Sequence, residues 1–149
     1  MKRSPALAPL SRDHQHALDA ALRLRRAEPG TLAAAIAHFG AFFADEGRAH
    51  FAIEEEHLLD ALPAADDEWA PAVARVRDDH AAIRGQADAL ATGTGHTDLD
   101  AARALGQRLN DHVRFEERVL FEILERRLPP SELEALGAAV AAAEAEHGA

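Results

Sequence analysis

Four stretches of this chain carry an apolar stripe at helical spacing, and each stripe is interrupted by a single histidine. The stripes are Leu10, His14, Ala17, Leu18, Ala21, Leu24, then Ile36, Phe39, Phe43, Gly47, His50, Glu54, Leu58, then Val73, Val76, His80, Ile83, Ala87, Leu90, and last Leu105, Leu109, His112, Glu116, Val119, Ile123. Spacings of three and four place each set on one face of an α-helix, the face that packing buries. Two stripes add a glutamate four residues after the histidine, one turn along the same face. Imidazoles and carboxylates in an apolar interior cost on the order of several kcal/mol together unless they find partners. Any fold of this chain must therefore bring these six side chains to something that satisfies them.

Punctuation sets the helices. The first is expected over about 11–28, after Pro5 and Pro9 and before Pro29-Gly30. The second follows Thr31 and ends near Leu62, ahead of Pro63. The third opens near Asp66-Asp67 and ends before Thr92-Gly93-Thr94-Gly95. The fourth begins at Thr97 or Asp98 and stops before Pro129-Pro130. A short fifth helix opens with Ser131 and Glu134, a capping-box pair. Short connections make neighbours antiparallel, so the expected fold is all-α: an up-down-up-down four-helix bundle with a short C-terminal fifth helix, one domain over 1–149. A formal charge of −10 argues against a nucleic-acid partner. With no cysteine there is no disulfide, thiolate site or cysteine nucleophile. No apolar run reads as a signal peptide or membrane span, so the expected compartment is the cytoplasm.

The chain also repeats itself. His50-Phe51-Ala52-Ile53-Glu54-Glu55-Glu56 aligns with His112-Val113-Arg114-Phe115-Glu116-Glu117-Arg118, and each motif follows a helix with one inward histidine after an aspartate, Asp13-His14 and Asp79-His80. Two such halves facing each other supply two imidazoles to each of two metal ions, with Glu54 and Glu116 between them. Imidazole and carboxylate suit iron, manganese or zinc. The protein ligands leave room for an exogenous one, such as dioxygen, peroxide or nitric oxide.

The ordered set H…HxxxE…H…HxxxE resembles the hemerythrin-like, or HHE cation-binding, family, from His14 to about Glu125. The resemblance implies a non-haem pair of iron ions, with zinc or manganese as substitutes. It makes His14, His50, His80 and His112 imidazole ligands and Glu54 and Glu116 bridging carboxylates. It implies a small diatomic ligand or peroxide as partner, and a monomer or homodimer. Oxygen-carrying hemerythrins have a further metal-binding histidine one turn after that of the third helix; here the position is Arg84. That departure shifts the expectation from reversible oxygen carriage toward reaction with peroxide or nitric oxide, or iron sensing.

Plainer readings apply elsewhere. On the first helix His16 shares a face with Asp13, Asp19 and Arg23, so His14 is favoured. His57 lies on a face similar to that of His50, but its repeat partner is Val119, which makes it a structural residue or a support to a ligand rather than a ligand. His38, His96 and His147 read as surface residues. Glu55, Glu56 and Glu117 read as solvated, with Glu55 the one that could reach a metal. Asp13, Asp79 and Asp111 read as surface charge, with a supporting contact to a neighbouring helix as the alternative, and the Phe39, Phe42, Phe43 cluster and Trp69 as packing. Two rival readings are a ferritin-like carboxylate protein, which wants Glu-x-x-His twice where this chain has it once, and a metal-free helical interaction module.

Overall fold

A computed structural model describes residues 3–93 and 98–148 as five helices, with no strand among the described residues. Helix α1 is Ala8–Arg25. Helix α2 begins with Leu32–Phe42, passes through a π-helical turn at Phe43–Gly47, resumes at Arg48–Ile53 and ends in a second π-turn at Glu54–Leu58. Helix α3 is Trp69–Ala91. Helix α4 runs through Asp98–Phe115, a π-turn at Glu116–Leu120, and Phe121–Arg127. Helix α5 is Pro130–Gly148.

The ends differ from the sequence expectation for local reasons. Pro9 lies inside α1 rather than ahead of it, because a first-turn residue needs no amide hydrogen for the helix. Helix α3 starts at Trp69 because the Asp66 carboxylate accepts the amides of Glu68 at 3.0 Å and Trp69 at 2.8 Å. Helix α5 is not short: its 19 residues match the 18 of α1. In its first turn the amides of Glu132 and Leu133 donate to the Pro129 carbonyl. Residues 94–97, which include His96 and Thr97, lie outside the described residues.

Two apolar clusters make the core. One gathers Ala17, Ala21, Leu24, Phe39, Phe43, Phe51, Ile83, Ala87, Leu105 and Leu109. The other gathers Leu7, Leu10, Ile53, Leu58, Trp69, Val76, Leu120, Phe121, Leu124 and Val140. Each stripe crosses between them at its histidine. His14 lies between Leu10 and Ala17, and His80 between Val76 and Ile83. The polar residues thus form a layer with apolar packing on both sides. Helix α1 packs most extensively on α4, and the approach is close: a Cβ on Gly106 would meet the Ala21 carbonyl oxygen at 2.7 Å and Leu24 Cβ at 2.8 Å.

The π-turns adjust the register around this layer. Arg48, Leu59 and Phe121 amides donate to the carbonyls of Phe43, Glu54 and Glu116, five residues back. A wider turn brings the residue four after each glutamate inward and swings the residue three after it outward. Leu58 and Leu120 are therefore fully buried, while Val119, expected on the inward stripe, is 37% exposed. His57 is displaced likewise and is only half-buried, with Glu56 its nearest acid at 3.9 Å. No helix among the described residues is long and apolar enough to cross a membrane.

Candidate metal centre

His14, His50, Glu54, His80, His112 and Glu116 are all buried and meet in the polar layer. His14 Nε2 stands 2.9 Å from Glu116 Oε1, and His112 Nε2 stands 3.2 Å from Glu116 Oε2. His80 Nε2 is 3.1 Å from Glu54 Oε1, and His50 Nε2 is 3.2 Å from Glu54 Oε2. Two groups result: His14, His50, Glu54 and Glu116, and Glu54, His80, His112 and Glu116, each with ligand atoms within 4.8 Å of one another. Both glutamates belong to both groups. The resemblance expects this sharing of the carboxylates.

The outer ring nitrogens are held too. His50 Nδ1 donates to Asp13 at 3.0 Å and His112 Nδ1 to Asp79 at 3.0 Å. His80 Nδ1 donates to Glu55 at 2.7 Å and His14 Nδ1 to Glu117 at 2.5 Å. The aspartate beside each lone histidine therefore orients the histidine of the next helix, and the glutamate after each HxxxE motif orients the lone histidine. Asp13, Asp79, Glu55 and Glu117 are thus not the solvated residues the sequence suggested; Asp79 is 5% exposed. An acid placed this way fixes which ring nitrogen faces inward and raises its basicity as a ligand. The signal was present as the doubled Asp-His and Glu-Glu pairs, but a helix rotation is needed to say which ring each acid meets. Asp111 does remain exposed, accepting from Gln107 and Asn110.

These acids are braced in turn. Arg84 donates twice to Glu55, at 2.8 and 3.0 Å. Arg75 donates to Asp79 at 3.0 Å, and Ser11 to Glu117 at 2.8 Å. Arg84, the residue that departs from the oxygen-carrying pattern, thus acts on His80 through Glu55.

Electrostatics follow from the burial. Desolvation alone would lower each histidine. For His80, hydrogen bonds and charges of Glu116 and Glu54 outweigh it and lift the ring to about 9. For His112, the Glu116 charge and the Asp79 hydrogen bond lift it to about 10. His14 and His50 also move upward, against burial, through their acids. Burial would raise Glu116, but the His112 charge close by and the hydrogen bond from His14 hold it well below the usual carboxylate range. Without a cation, protons on the rings balance the two carboxylates.

That balance is incomplete. His50 Nε2, Glu54 Oε2, His112 Nε2 and Glu116 Oε2 are buried and make no properly angled hydrogen bond, although each lies 3.2 Å from its partner in the same HxxxE motif. Buried atoms left this way cost about 1–3 kcal/mol each. Atoms that aim at a shared point rather than at each other suit cations, so the residues present fit a metal pair.

The model of the hemerythrin HHE cation binding domain matches residues 6–124 and again 72–149. The chain belongs to that family. The second match begins in α3, consistent with halves that repeat. As an HHE domain the chain is a metal-cation-binding helical protein, and the buried His/Glu groups are where such a cation fits. No curated protein and no solved structure matches it.

The remaining candidates of this HHE domain lie apart from the layer. His16 is 63% exposed and pairs with Glu46 at 2.7 Å. His38 faces Asp19 at 3.3 Å, and His147 is exposed on α5. Trp69 is buried and donates to the Leu59 carbonyl at 2.9 Å. Phe42 and Phe43, read as packing, and Phe51 of the repeat motif also line a cavity of about 10 Å³ with His14, His50 and His112. That is room for roughly one water-sized molecule.

Proposed function

We propose that this chain holds two iron ions, one between His14 and His50 and one between His80 and His112, with Glu54 and Glu116 shared, in an up-down-up-down bundle. The observation that carries this reading is the membership of both glutamates in both ligand groups. Bound iron would supply reversible ligation or redox chemistry toward dioxygen, peroxide or nitric oxide. The chain's own part is to bind the ions, orient the four rings through Asp13, Glu117, Asp79 and Glu55, and exclude bulk water with the two apolar clusters. The small cavity beside His14, His50 and His112 favours a ligand of a few atoms over an organic substrate. Arg84, engaged with Glu55, supplies no ligand, so the proposed activity is weak consumption of peroxide or nitric oxide, or sensing, rather than stable oxygen carriage. Zinc or manganese would fill the same positions.

Elemental analysis of protein made in iron-replete medium tests the reading. The expected result is about two ions per chain, following two ligand groups. A well-folded protein with stoichiometry near zero would leave the histidines as ion-paired core residues. Absorption spectra after mixing with oxygen, peroxide and nitric oxide then separate the ligands.

A further inference from the structure

The lone histidines of the two halves, His14 and His80, are held by the same arrangement built from different residues. The His80 ring stacks on Phe51 at 3.8 Å between centres, and its Nδ1 donates to Glu55 at 2.7 Å. Arg84 closes the set: it donates to both Glu55 oxygens, and its guanidinium lies 5.5 Å from the centre of the Phe51 ring. The His14 ring stacks on Phe121 at 5.4 Å, with the planes 8° apart, and its Nδ1 donates to Glu117 at 2.5 Å. Here the guanidinium belongs to Arg3. It lies 5.5 Å from the centre of the Phe121 ring, donates to the Glu117 carbonyl at 2.8 Å and stands 3.3 Å from Glu117 Oε1.

The sequence repeat does not impose this likeness. Four residues after His80 comes Arg84; four after His14 comes Leu18, which packs on the first apolar cluster. In the repeat Phe51 is matched by Val113, and Phe121 by Leu59. The first half therefore has no arginine at that place on its own helix, and the segment ahead of α1 brings one. That segment is fixed at several points. Arg3 also donates to Glu125 at 2.7 Å, and the Ser4 amide donates to the other Glu125 oxygen at 2.6 Å. Leu7 is fully buried in the second cluster. Ala6 lies so close to α5 that a Cβ on Gly137 would meet its Cα at 2.7 Å. Ion pairs as accessible as those of Arg3 add little to stability. A planar guanidinium set over an aromatic face and against a carboxylate instead has a defined orientation. What it contributes is placement, because Glu117 and Phe121 are the groups that hold the His14 ring.

We propose that Arg3 is a positioning residue of the centre: from the segment ahead of α1 it holds Glu117, and so does for His14 what Arg84 does for His80. The reading of His14 as a metal ligand is needed only for the iron-release arm of the test. The variants are Arg3→Met and Arg84→Met, each of which keeps an unbranched stem over the aromatic ring but carries no donor and no charge. The first readout is the pair of Nδ1 protons of His14 and His80 in the metal-free protein, followed by NMR. Arg3→Met should speed exchange of the His14 proton and leave that of His80 as in the parent; Arg84→Met should do the reverse. A general loosening of the fold would move both rings together in either variant. The second readout is the rate of iron loss to a chelator. Arg3→Met should raise it roughly fivefold, short of the roughly 10–100-fold typical for a direct partner of a ligating histidine, because Ser11 still holds Glu117. If the parent retains no iron, the metal-binding reading fails while the imidazole-proton arm still decides the role of Arg3. An unchanged His14 proton in Arg3→Met, equal changes at both rings, or iron loss at the parental rate from a protein that does hold iron would each overturn the proposal.

Discussion

Asp79 stands at one step's remove from the centre, buried, accepting from His112 Nδ1 and from Arg75. Replacing it with alanine frees the His112 ring to turn and removes the charge that supports its inward nitrogen. Acids in this position are typically worth 10–100-fold in metal affinity, so Asp79→Ala should weaken metal binding by about that factor. Competition against a chelator of known affinity measures it; an unchanged affinity would mean that packing alone, including the stacked Phe51–His80 pair beside it at 3.8 Å, fixes the rings. At this scale the sequence was informative about the six inward residues and left their supports undecided between surface charge and a contact to the next helix. A histidine inside an apolar stripe announces itself, because only burial explains its neighbours. Asp13 and Asp79 are about 100° around the helix from His14 and His80, where surface charge also falls. Only the packed position of the next helix shows that His50 and His112 come to meet them.

At the scale of the elements, the helices were legible from Pro and Gly punctuation, and the π-turns were not. A count by 3.6 puts Val119 on the buried face with Glu116; the wider turn at Glu116–Leu120 exposes Val119 and buries Leu120 instead. Nothing in the residue types of that segment signals five-residue hydrogen bonding. What requires it is the need to seat Glu116 in the polar layer while Leu120 and Phe121 enter the apolar cluster. The consequence is measurable. Leu120→Ala should cost about 2–5 kcal/mol, as large-to-small changes in a core do. Val119→Ala should stay within about 0.5 kcal/mol, as surface changes usually do. Urea unfolding of the two metal-free variants decides between registers; comparable losses would restore the uninterrupted helix. The length of α5 was also missed, since its alanine-rich sequence lacks a wide apolar stripe and only Val140 and Ala143 are buried along it.

For the whole molecule, the polar layer makes the stability of metal-free and metal-loaded protein diverge as pH rises. In the metal-free chain His80 titrates at about 9 and His112 at about 10, against 6.5 for an unperturbed histidine. A ring with a raised value binds more protons folded than unfolded across that window. Its stabilising contribution is fully present below 6.5 and is lost as pH climbs through 9 and 10. Glu116, held well below the ordinary glutamate value of 4.5, works on the other side: its contribution is present above 4.5 and disappears only in strong acid. The metal-free fold should therefore be firmest in mildly acid solution and weaken toward alkaline pH. Metal must displace the ring protons to bind, so its affinity rises with pH over the same range. Stabilisation by a ligand that binds only the folded state grows by about 1.4 kcal/mol for each tenfold gain in affinity. The separation between melting temperatures with and without metal should accordingly widen from about pH 6 to about pH 9. Zinc serves as the probe, since it avoids the oxidation of iron during heating. Melting curves that shift in parallel across that range would mean that ring protons and carboxylates satisfy one another whether or not metal is supplied. The layer would then be an ion-paired core, and the buried unpartnered atoms of His50, Glu54, His112 and Glu116 would be the cost the fold bears for it.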